Sequence, residues 1–476
     1  MFKLLRNLKS SILYVVIIVL LLCVQAWADL TLPDYTSKIV NTGIQAGGIE
    51  NPSPEVIRKS QMDNLLLFTK EDESILSKYT LISKNSLEEN EYEKYTEKYP
   101  ALENEDLYIV NKLSEEEQEN LNDQIAKPLL ILSNLSNDML KVMPEEKLDQ
   151  ILEKVQEQVN QMNESIISQA AIVQVKNEYK QIGMDTDKIQ NDYIFMAGLQ
   201  MLGVAFISMV SAIIVMLLSA KVAAMLGRTL RDKVFKKVMG FSTKEFREYS
   251  TASLITRSTN DIAQIQNLIT MLFRVVVYAP IIGIGGVLHV MNNSDNSMAW
   301  IIALAVGAII VIVLALFSVA MPKFKKLQDL IDRLNLVSRE ILTGLPVIRA
   351  FNTHKREEER FDDSNKDLMK ANIFVNRAMS IMMPALSFIM NSIMLLIVWV
   401  GGHKVDEGVM QVGDMMAFIQ YTMQIVMSFL MISMISIMLP RAAVSAKRIN
   451  EVLETNPSIK NKKELKQFKQ DKKGLV

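Results

Sequence analysis

Six long apolar runs alternate with polar segments along this chain. They lie near residues 11–30, 194–219, 268–290, 298–321, 381–401 and 414–439. An α-helix needs roughly 20 predominantly apolar residues to cross about 30 Å of hydrocarbon. The pattern therefore predicts an all-α membrane protein with six transmembrane helices.

The first apolar run also resembles a secretory signal. Basic residues precede it, and Ala26-Trp27-Ala28 has the small residues of a cleavage site. Tryptophan is, however, typical of a membrane interface, and a plausible helix continues beyond it. We therefore predict that residues 1–47 form an amino-terminal interfacial helix and a retained first span.

The polar segments at 220–267 and 322–380 keep a helical periodicity that runs into the neighbouring spans. They predict helices that project well beyond the bilayer and end in short tips near 243–252 and 350–357. A pair of solvated connecting helices, with no docking role, is the alternative interpretation.

Residues that favour helix starts stand at both tips. The sequence Ser-Thr-Lys-Glu at 242–245 has the pattern of a capping box, in which serine and glutamate side chains satisfy backbone N–H groups. Asn352 and Thr353 are expected to start the next helix in the same way.

Positive charge is concentrated at the amino end and in the segments 220–267 and 322–380. The short connections at 291–297 and 402–413 contain a single Lys or Arg, Lys404. Because cytoplasmic loops carry an excess of Lys and Arg, both termini are predicted to be cytoplasmic. The chain is expected to be a multi-pass protein of the plasma membrane.

The segment 48–192, here called the acidic block, interrupts the apolar pattern and falls on the extracellular side in that topology. It contains 30 Asp and Glu against 15 Lys and Arg, in a chain whose net charge is −1. Apolar residues recur in helical steps between 148 and 166, and 129–132 adds a second apolar cluster. We predict a compact extracellular insertion domain, helical or mixed, and no binding of nucleic acid.

These patterns divide the chain into four parts. The predicted domains are 1–47, the acidic block at 48–192, spans two to six with their cytoplasmic hairpins at 193–441, and a linker at 442–476. The single cysteine, Cys23, lies in the first apolar run, so no disulfide is expected.

The last apolar run carries methionines at 416, 423, 427, 431, 434 and 438, in steps that share one helix face. Flexible, polarizable methionines suit a cavity that accepts varied apolar ligands. Polar side chains at membrane depth seldom face lipid. The candidate substrate-cavity residues are therefore Asn391, Gln420, Met423, Gln424, Met427 and Met431. Helix packing or lipid contact is the alternative for the methionines.

Four short sequence motifs lie outside the apolar runs, at definite positions relative to the predicted spans. They are LRDKVFKKVMGF at 230–241, STASLITRSTND at 250–261, E-x(3)-G-x(2)-VIRAF at 340–351 and RINEVLE at 448–454. In this order the chain resembles the six-span transmembrane domain of type I ATP-binding-cassette (ABC) exporters. It is most similar to the heterodimeric multidrug-type bacterial half-transporters. The acidic block departs from the family, whose first outer loop is usually short.

The resemblance implies roles for residues at the two tips. The tips would be coupling helices that dock on nucleotide-binding domains, and the residues nearest the contact would be Phe246, Tyr249, Phe351 and His354. A second set, which would hold the hairpins together, is Arg257, Asn260, Asp261 and Arg349. No catalytic residue and no metal site are predicted, since His354 has no partner pattern for either role.

No phosphate-binding loop of the G-x(4)-G-K-[ST] type occurs in the sequence, nor does a Leu-Ser-Gly-Gly-Gln signature. The resemblance therefore implies that ATP and Mg²⁺ are bound by a nucleotide-binding domain missing from this chain. It also implies a second six-span half-transporter as partner, with a heterodimer favoured over a homodimer. The expected function is ATP-driven outward movement of amphipathic drugs, lipids or peptides by alternating access. A dedicated lipid flippase or peptide exporter, and a membrane sensor or scaffold whose outer domain binds a ligand, are the alternatives.

Overall fold

The computed structural model describes residues 11–133 with short gaps at 67, 70–71 and 85–86, residue 159, and residues 162–293 and 298–459. Helices dominate these residues, and backbone contacts divide them into two compact units. The first unit comprises Met1–Ala28, Phe206–Gly285 and Met427–Val476, and the second comprises Asp29–Ala205 and Gly286–Val426.

The helices follow one another with short connections. In chain order they are α1 (Ile12–Lys38), α2 (Lys59–Leu66), α3 (Asp72–Leu76), α4 (Glu89–Lys98), α5 (Glu115–Ser133), α6 (Glu164–Ile182), α7 (Thr186–Met239), α8 (Thr243–Glu248), α9 (Thr251–Ser258), α10 (Asn260–Leu272), α11 (Ala279–Asn293), α12 (Ala299–Ala350), α13 (His354–Asp406) and α14 (Val412–Glu454). π-Helical turns at Ile39–Gln45 and Phe273–Tyr278 extend α1 and join α10 to α11, and a 3₁₀ turn at Pro100–Glu103 follows α4.

Five helical segments among the described residues are long and apolar enough to cross a membrane. They are Ile12–Gln45, Thr186–Met239, Thr251–Met291, His354–Asp406 and Val412–Ile432. These segments overlap five of the six predicted spans, and the last of them, predicted at 414–439, overlaps a segment that ends at Ile432. The predicted span at 298–321 falls on α12, where a shorter apolar stretch, Ala299–Ala315, is found. The chain is thus a multi-pass membrane protein whose membrane part is all-α, as predicted.

Three helices continue far beyond the length of a span. α7, α12 and α13 contain 54, 52 and 53 residues. At about 1.5 Å per residue each is about 80 Å long, more than twice a hydrocarbon thickness of about 30 Å. The continuous helices confirm that the polar segments extend the spans as helices.

A core in the first unit follows from the spacing of apolar residues on α7. Val222, Leu226, Leu230 and Val234 stand four residues apart and therefore share one face. They are buried in a cluster with residues of α1, α9, α10 and α14. This cluster fixes the base of the connection between α7 and α10, where the first tip lies.

The acidic block, in the second unit, has a core of its own and mixes helices with strands. Strands β1 (Val56–Arg58), β2 (Tyr79–Ile82) and β3 (Leu107–Val110) form an antiparallel sheet in the order β1-β3-β2. The predicted apolar cluster at 129–132 is buried in this core together with residues of α6. Most of the amphipathic helix predicted between 148 and 166 lies outside the described residues. The block was predicted to be helical or mixed, and its helices and strands agree with the mixed alternative. Its boundaries at 48 and 192 stay a prediction.

The prediction that Asn352 and Thr353 cap the start of α13 is wrong. Thr353 occupies the N-cap position, but its side chain makes no capping hydrogen bond. Asn352 instead has a φ of 53° and closes the preceding helix. The Thr353 N–H donates to the Ile348 carbonyl at 3.1 Å and the Asn352 N–H to the Arg349 carbonyl at 3.4 Å. This is a Schellman motif, in which asparagine is favoured because it tolerates the left-handed conformation.

Candidate functional site

The first tip is α8, and its start is a complete capping box. The Ser242 N–H donates to the Glu245 carboxylate at 2.6 Å, and the Lys244 N–H donates to the Ser242 hydroxyl oxygen at 3.3 Å. The Ser242 hydroxyl also donates to Glu245 at 2.6 Å. The capping predicted at 242–245 is therefore confirmed, and it ties the tip to the end of α7.

The buried Glu245 carboxylate also binds the chain that follows α14. The Ser458 N–H donates to Glu245 at 3.0 Å, and the hydroxyls of Ser242 and Ser458 lie 2.8 Å apart. These hydrogen bonds, above all the one from the Ser242 hydroxyl, lower the pKa of Glu245 from 4.5 to about 2. Glu245 thus joins the first tip to the segment after the last helix as a carboxylate.

Three aromatic rings pack together at the first tip. The Phe241 ring stacks on Tyr249 with centroids 6.1 Å apart and meets Phe246 edge to face at 6.3 Å. The Tyr249 hydroxyl lies 2.9 Å from the Thr455 hydroxyl, which follows α14. Phe246 is 43% exposed. Of the two aromatic residues expected at this contact, Tyr249 is engaged within the chain and Phe246 is the one presented outward.

Two residues expected to hold the hairpin together connect it to α14. The Arg257 guanidinium donates to the Arg448 carbonyl at 2.7 Å and to Glu451 at 3.0 Å, and it lies 4.9 Å from the centre of the Tyr249 ring. Asp261 is buried and accepts a hydrogen bond from the Ser445 hydroxyl at 2.7 Å.

The remaining members of that set are exposed. Asn260 starts α10 and Arg349 lies in the last turn of α12, and both side chains face solvent. The second carboxylate oxygen of Asp261 has no hydrogen-bond partner among the described residues. The structure thus brings Arg257 and Asp261 into contact with α14, and it does not place Asn260 or Arg349 there.

The second tip, between α12 and α13, is exposed. The Phe351 side chain is 76% exposed and stands at the end of α12, while the exposed His354 begins α13. The Schellman motif holds the short connection between them. A large aromatic ring is therefore presented to solvent on a fixed turn.

Ion pairs and an apolar groove lie on the hairpin behind the second tip. Arg333 pairs with Asp367 at 3.9 Å, and Arg360 pairs with Glu340. A groove of about 510 Å³ lies beside these residues, and its apolar lining residues are Ile341, Leu342, Leu345, Ile348 and Phe361. The carboxylates of Glu357 and Glu358 border it. The hairpin thus carries an apolar surface with an acidic rim next to its tip.

The candidate cavity residues on α14 have different surroundings. Met423 and Met427 are 36% and 50% exposed, whereas Met431 and Gln420 are partly buried. Gln424 turns toward the first span, and its amide donates to the Asp29 carbonyl at 3.0 Å. The exposed methionine face of α14 is available to a ligand, lipid or a neighbouring chain.

Asn391, on α13, is exposed and satisfies its own helix. Its amide donates to the Ser387 carbonyl at 2.9 Å, one turn earlier. A single donor remains on this amide for any other partner. Its role in a cavity therefore stays a prediction.

One polar cluster escaped the sequence analysis. The His289 Nε2 lies 3.0 and 3.1 Å from the two carboxylate oxygens of Asp34. The Tyr421 hydroxyl lies 2.5 Å from an Asp34 carboxylate oxygen and 3.0 Å from the Leu30 carbonyl oxygen, two acceptors that share its one proton. A second contact follows one turn later, where the Ser37 hydroxyl donates to Asp414 at 2.6 Å. The sequence did contain a signal for this cluster, because Asp34 and His289 are ionisable residues at the ends of apolar runs.

Comparison with known proteins identifies the kind of membrane domain. The sequence model of the ABC transporter transmembrane region matches residues 180–429. An uncharacterized ABC transporter ATP-binding protein of Mycobacterium tuberculosis is 35% identical over 264 residues, covering 56% of this chain and 45% of that protein. A similarly described protein of Bacillus subtilis is 30% identical over 264 residues, with coverages of 55% and 46%. A fatty acid ABC transporter ATP-binding/permease protein of Mycobacterium tuberculosis is 28% identical over 225 residues, with coverages of 47% and 36%. The chain spans about half the length, or less, of these curated relatives.

Proposed function

This chain belongs to the family of ABC transporter transmembrane regions, and we propose that it is the membrane half of an ATP-driven exporter. Two relatives are described as ATP-binding proteins and one as an ATP-binding/permease protein, and each is longer than the matched part. ATP and Mg²⁺ would be bound by nucleotide-binding domains outside these residues. No residue of this chain is assigned to either.

The observation that carries the proposal is the geometry of the second tip. α12 and α13 are continuous helices of 52 and 53 residues that meet at a fixed turn bearing the exposed Phe351. Paired long helices act as levers, because displacement at one end is transmitted along an uninterrupted hydrogen-bonded backbone. Closure of nucleotide-binding domains at the tip would move the opposite ends of these helices, which is the motion that alternating access requires.

Docking at the tip would use an aromatic anchor. Buried aromatic residues dominate the binding energy of many interfaces because they fill pockets in the partner. Phe351, Phe246 and His354 are exposed and are the residues proposed to contact the nucleotide-binding domains. Tyr249 would support this contact indirectly, because its hydroxyl is hydrogen-bonded to Thr455 and the residue helps to hold the first tip in place.

The proposed topology has six spans, with α12 supplying the fourth. The basic segments at 220–267 and 322–380 and both termini would be cytoplasmic, and the acidic block would be extracellular in the plasma membrane. This arrangement would put both tips on the side where ATP is available.

A second six-span half-transporter would complete the pathway, because six spans do not enclose one. The apolar groove beside the second tip and the exposed methionines of α14 are surfaces that such a partner would cover. A heterodimer is favoured over a homodimer, because the acidic block resembles the outer domain that some paired exporters carry on one partner only.

Amphipathic molecules are the proposed substrates. Met423 and Met427 offer flexible apolar contacts, and one relative is described as a fatty acid transporter. A dedicated lipid flippase or peptide exporter, the alternative function, would transmit motion through the same long helices but would have a different substrate cavity. The separate core of the acidic block favours, as a second candidate, a membrane sensor or scaffold whose outer domain binds a ligand.

Labelling of introduced cysteines tests the topology on which the proposal depends. In a Cys23→Ser background, Lys127→Cys in the acidic block should react with an impermeant maleimide on intact cells, whereas Lys244→Cys at the first tip should react only after permeabilisation. Both native side chains are exposed, so access is not limited by burial. Equal labelling of the two positions on intact cells would overturn the proposed topology.

A further inference from the structure

A cavity of about 630 Å³ lies where the acidic block meets the two helices that flank it. Its walls come from the end of α1, the chain after the π-helical turn, α5, α6 and the first turns of α7. All of these belong to the second unit. Cavities of about 300–1,000 Å³ are typical of small-molecule sites. Its lining shares no residue with the helix tips or with the methionines of α14.

One wall of the cavity is a fixed polar network. The Ser53 hydroxyl donates to the side-chain oxygen of Asn122 at 2.6 Å. The Gln118 amide donates to Ser53 at 2.6 Å and to the same Asn122 oxygen at 3.2 Å, and the Asn122 amide donates to Asn51 at 3.0 Å. Ser53 is buried. Because these side chains hold one another, the polar groups of Asn51, Ser53 and Gln118 are positioned before any ligand arrives.

Two charged residues of the lining, Lys98 and Glu55, form an ion pair with each other. The Lys98 ammonium lies 2.9 Å from Glu55, and the Tyr99 hydroxyl donates to the same carboxylate at 3.2 Å. The Glu55 N–H donates to the hydroxyl oxygen of the buried Tyr179 at 2.7 Å. This group forms a neutral, fixed side of the cavity.

Lys38 and Glu50 supply the remaining charges of the lining. The Lys38 ammonium lies 5.7 Å from the centre of the Tyr35 ring and makes no ion pair within the described part of the chain. Glu50 makes no ion pair there either, and its side chain shares a hydrogen bond with the Tyr193 hydroxyl. The cavity therefore offers one cation and one anion without an ion-pair partner in the described part of the chain, and Lys38 also lines a neighbouring cavity that contains Asp34 and Asp414.

The side toward α7 is mainly apolar, although Tyr193 and Gln200 also line it, and it continues along the exposed face of that helix. Met184, Ile189, Met196 and Ala197 line the cavity. Met196 is 56% exposed, and Leu199, three residues further on and on the same face, is 54% exposed. These positions lead into an apolar segment long enough to span a membrane. An apolar chain leaving the cavity would thus run along a surface suited to lipid.

We propose that this cavity binds the headgroup of a zwitterionic phospholipid. The lipid phosphate would lie at Lys38, the headgroup ammonium at Glu50, and an acyl chain along Met196 and Leu199. The amide of Asn51 would donate to a phosphate or ester oxygen, whereas both N–H groups of Gln118 are already used within the protein. A purely anionic lipid fits less well, because it leaves Glu50 unpaired beside a negative charge. The inference rests on the proposed function only in placing the acidic block at the membrane surface.

Headgroup selectivity in the purified chain tests this assignment. The probes are dihexanoyl phosphatidylethanolamine and dihexanoyl phosphatidylglycerol, titrated into the detergent-purified chain and counted as bound lipids by native mass spectrometry. The ethanolamine lipid should be retained about tenfold more than the glycerol lipid, as expected for one matched charge pair in a partly buried site.

Charge variants sharpen the test. Lys38→Glu should lower retention of the ethanolamine lipid about tenfold, and Glu50→Lys should lower it similarly while raising retention of the glycerol lipid. Lys127→Glu, an equivalent change at an exposed position of α5 away from the cavity, should leave both unchanged. Should Lys38→Glu fail to fold, Glu50→Lys decides the matter alone.

Equal retention of the two lipids by the unaltered chain would overturn the inference. So would full retention of the ethanolamine lipid in Glu50→Lys, or displacement of that lipid by a short zwitterionic peptide bound at higher affinity. Binding in detergent requires neither ATP nor a membrane orientation. Equal labelling of the two cysteines would therefore contradict the proposed topology but would not affect the lipid-binding result. Likewise, equal retention of the two lipids would contradict the lipid site but not the topology.

Discussion

The two helix tips carry similar residue types but differ in where their contacts lie. At the first tip, Glu245 binds Ser458 and Tyr249 contacts Thr455, so this tip is attached to the chain that follows α14. At the second tip, Phe351 is 76% exposed, and the short turn is closed by backbone hydrogen bonds. At the first tip Glu245 and Tyr249 are engaged within the chain and Phe246 is exposed, whereas at the second tip the exposed Phe351 has no such attachment beside it.

Under the proposed function, this difference predicts two kinds of coupling. Motion of a nucleotide-binding domain would reach the first tip in two ways, by direct docking at Phe246 and through the segment after α14. The second tip, with the long helices α12 and α13 behind it, would depend on docking alone. Mutations at the first tip should therefore act on the stability of the contact with α14, whereas mutations at the second should act on transport.

The largest effect is expected for Phe351→Ala in the transporter assembled with its partner half and nucleotide-binding domains. Loss of an aromatic anchor should lower ATP-driven transport of an amphipathic dye about tenfold while ATP hydrolysis continues. Val347→Ala, one turn earlier on α12 and 60% exposed, is the matched control and should have little effect. Equal transport by the two variants would show that the second tip is a solvated turn.

Arg257→Gln should loosen the connection between α9 and α14. It removes hydrogen bonds to the Arg448 carbonyl and Glu451, and contacts of this charged kind contribute about 1.5–3 kcal/mol. Hydrogen exchange of the amides at 448–455 should accelerate accordingly. The control is Arg333→Gln, whose exposed ion pair with Asp367 at 3.9 Å should contribute less than about 1 kcal/mol. Comparable acceleration near both sites would contradict the assignment.

Ser242→Ala should destabilise the first tip by about 1 kcal/mol, the usual cost of losing an N-cap side chain. Faster exchange of the amides at 244–246 would measure it. Thr353→Ala is the matched change at the second tip, where the same position makes no side-chain capping bond. We expect no measurable change there, and a similar loss at both tips would erase the distinction between them.

Acid should weaken the first tip through Glu245. Its pKa in the folded chain is about 2, below the ordinary 4.5, so its stabilising contribution is complete above about pH 4.5 and is lost as the pH falls toward 2. Peptic cleavage near 242–249 should rise across this range, after correction for the activity of pepsin on an unfolded substrate. Glu245→Gln should show a flat profile. A corrected profile that is equally steep in both proteins would exclude Glu245 as the titrating group.

Part of the fold and of the candidate site could be predicted because it depends on local sequence. The apolar runs and the capping box at 242–245 involve residues within one helix or one turn, so their spacing alone is informative. The antiparallel sheet of the acidic block was not foreseen. Its strands contain three or four residues, and β3 pairs with segments far away in sequence.

The wrong prediction at Asn352 has a similar origin. Asparagine is favoured both before a helix and, in the left-handed conformation, after one. With α12 and α13 separated by three residues, the sequence does not distinguish the two uses. The hydrogen bond from the Thr353 N–H to the Ile348 carbonyl, made within the folded turn, decides for the end of α12.

The sequence by itself determined that this chain crosses a membrane as apolar helices and that long helices continue past the spans, because periodicity and length act within each segment. Tertiary structure decided which polar groups meet. Asp34, His289 and Tyr421 come from three separate helices, and Lys38 and Glu50 share a cavity with residues more than a hundred positions away. Such contacts depend on which helix faces pack together, and only the folded chain fixes that choice.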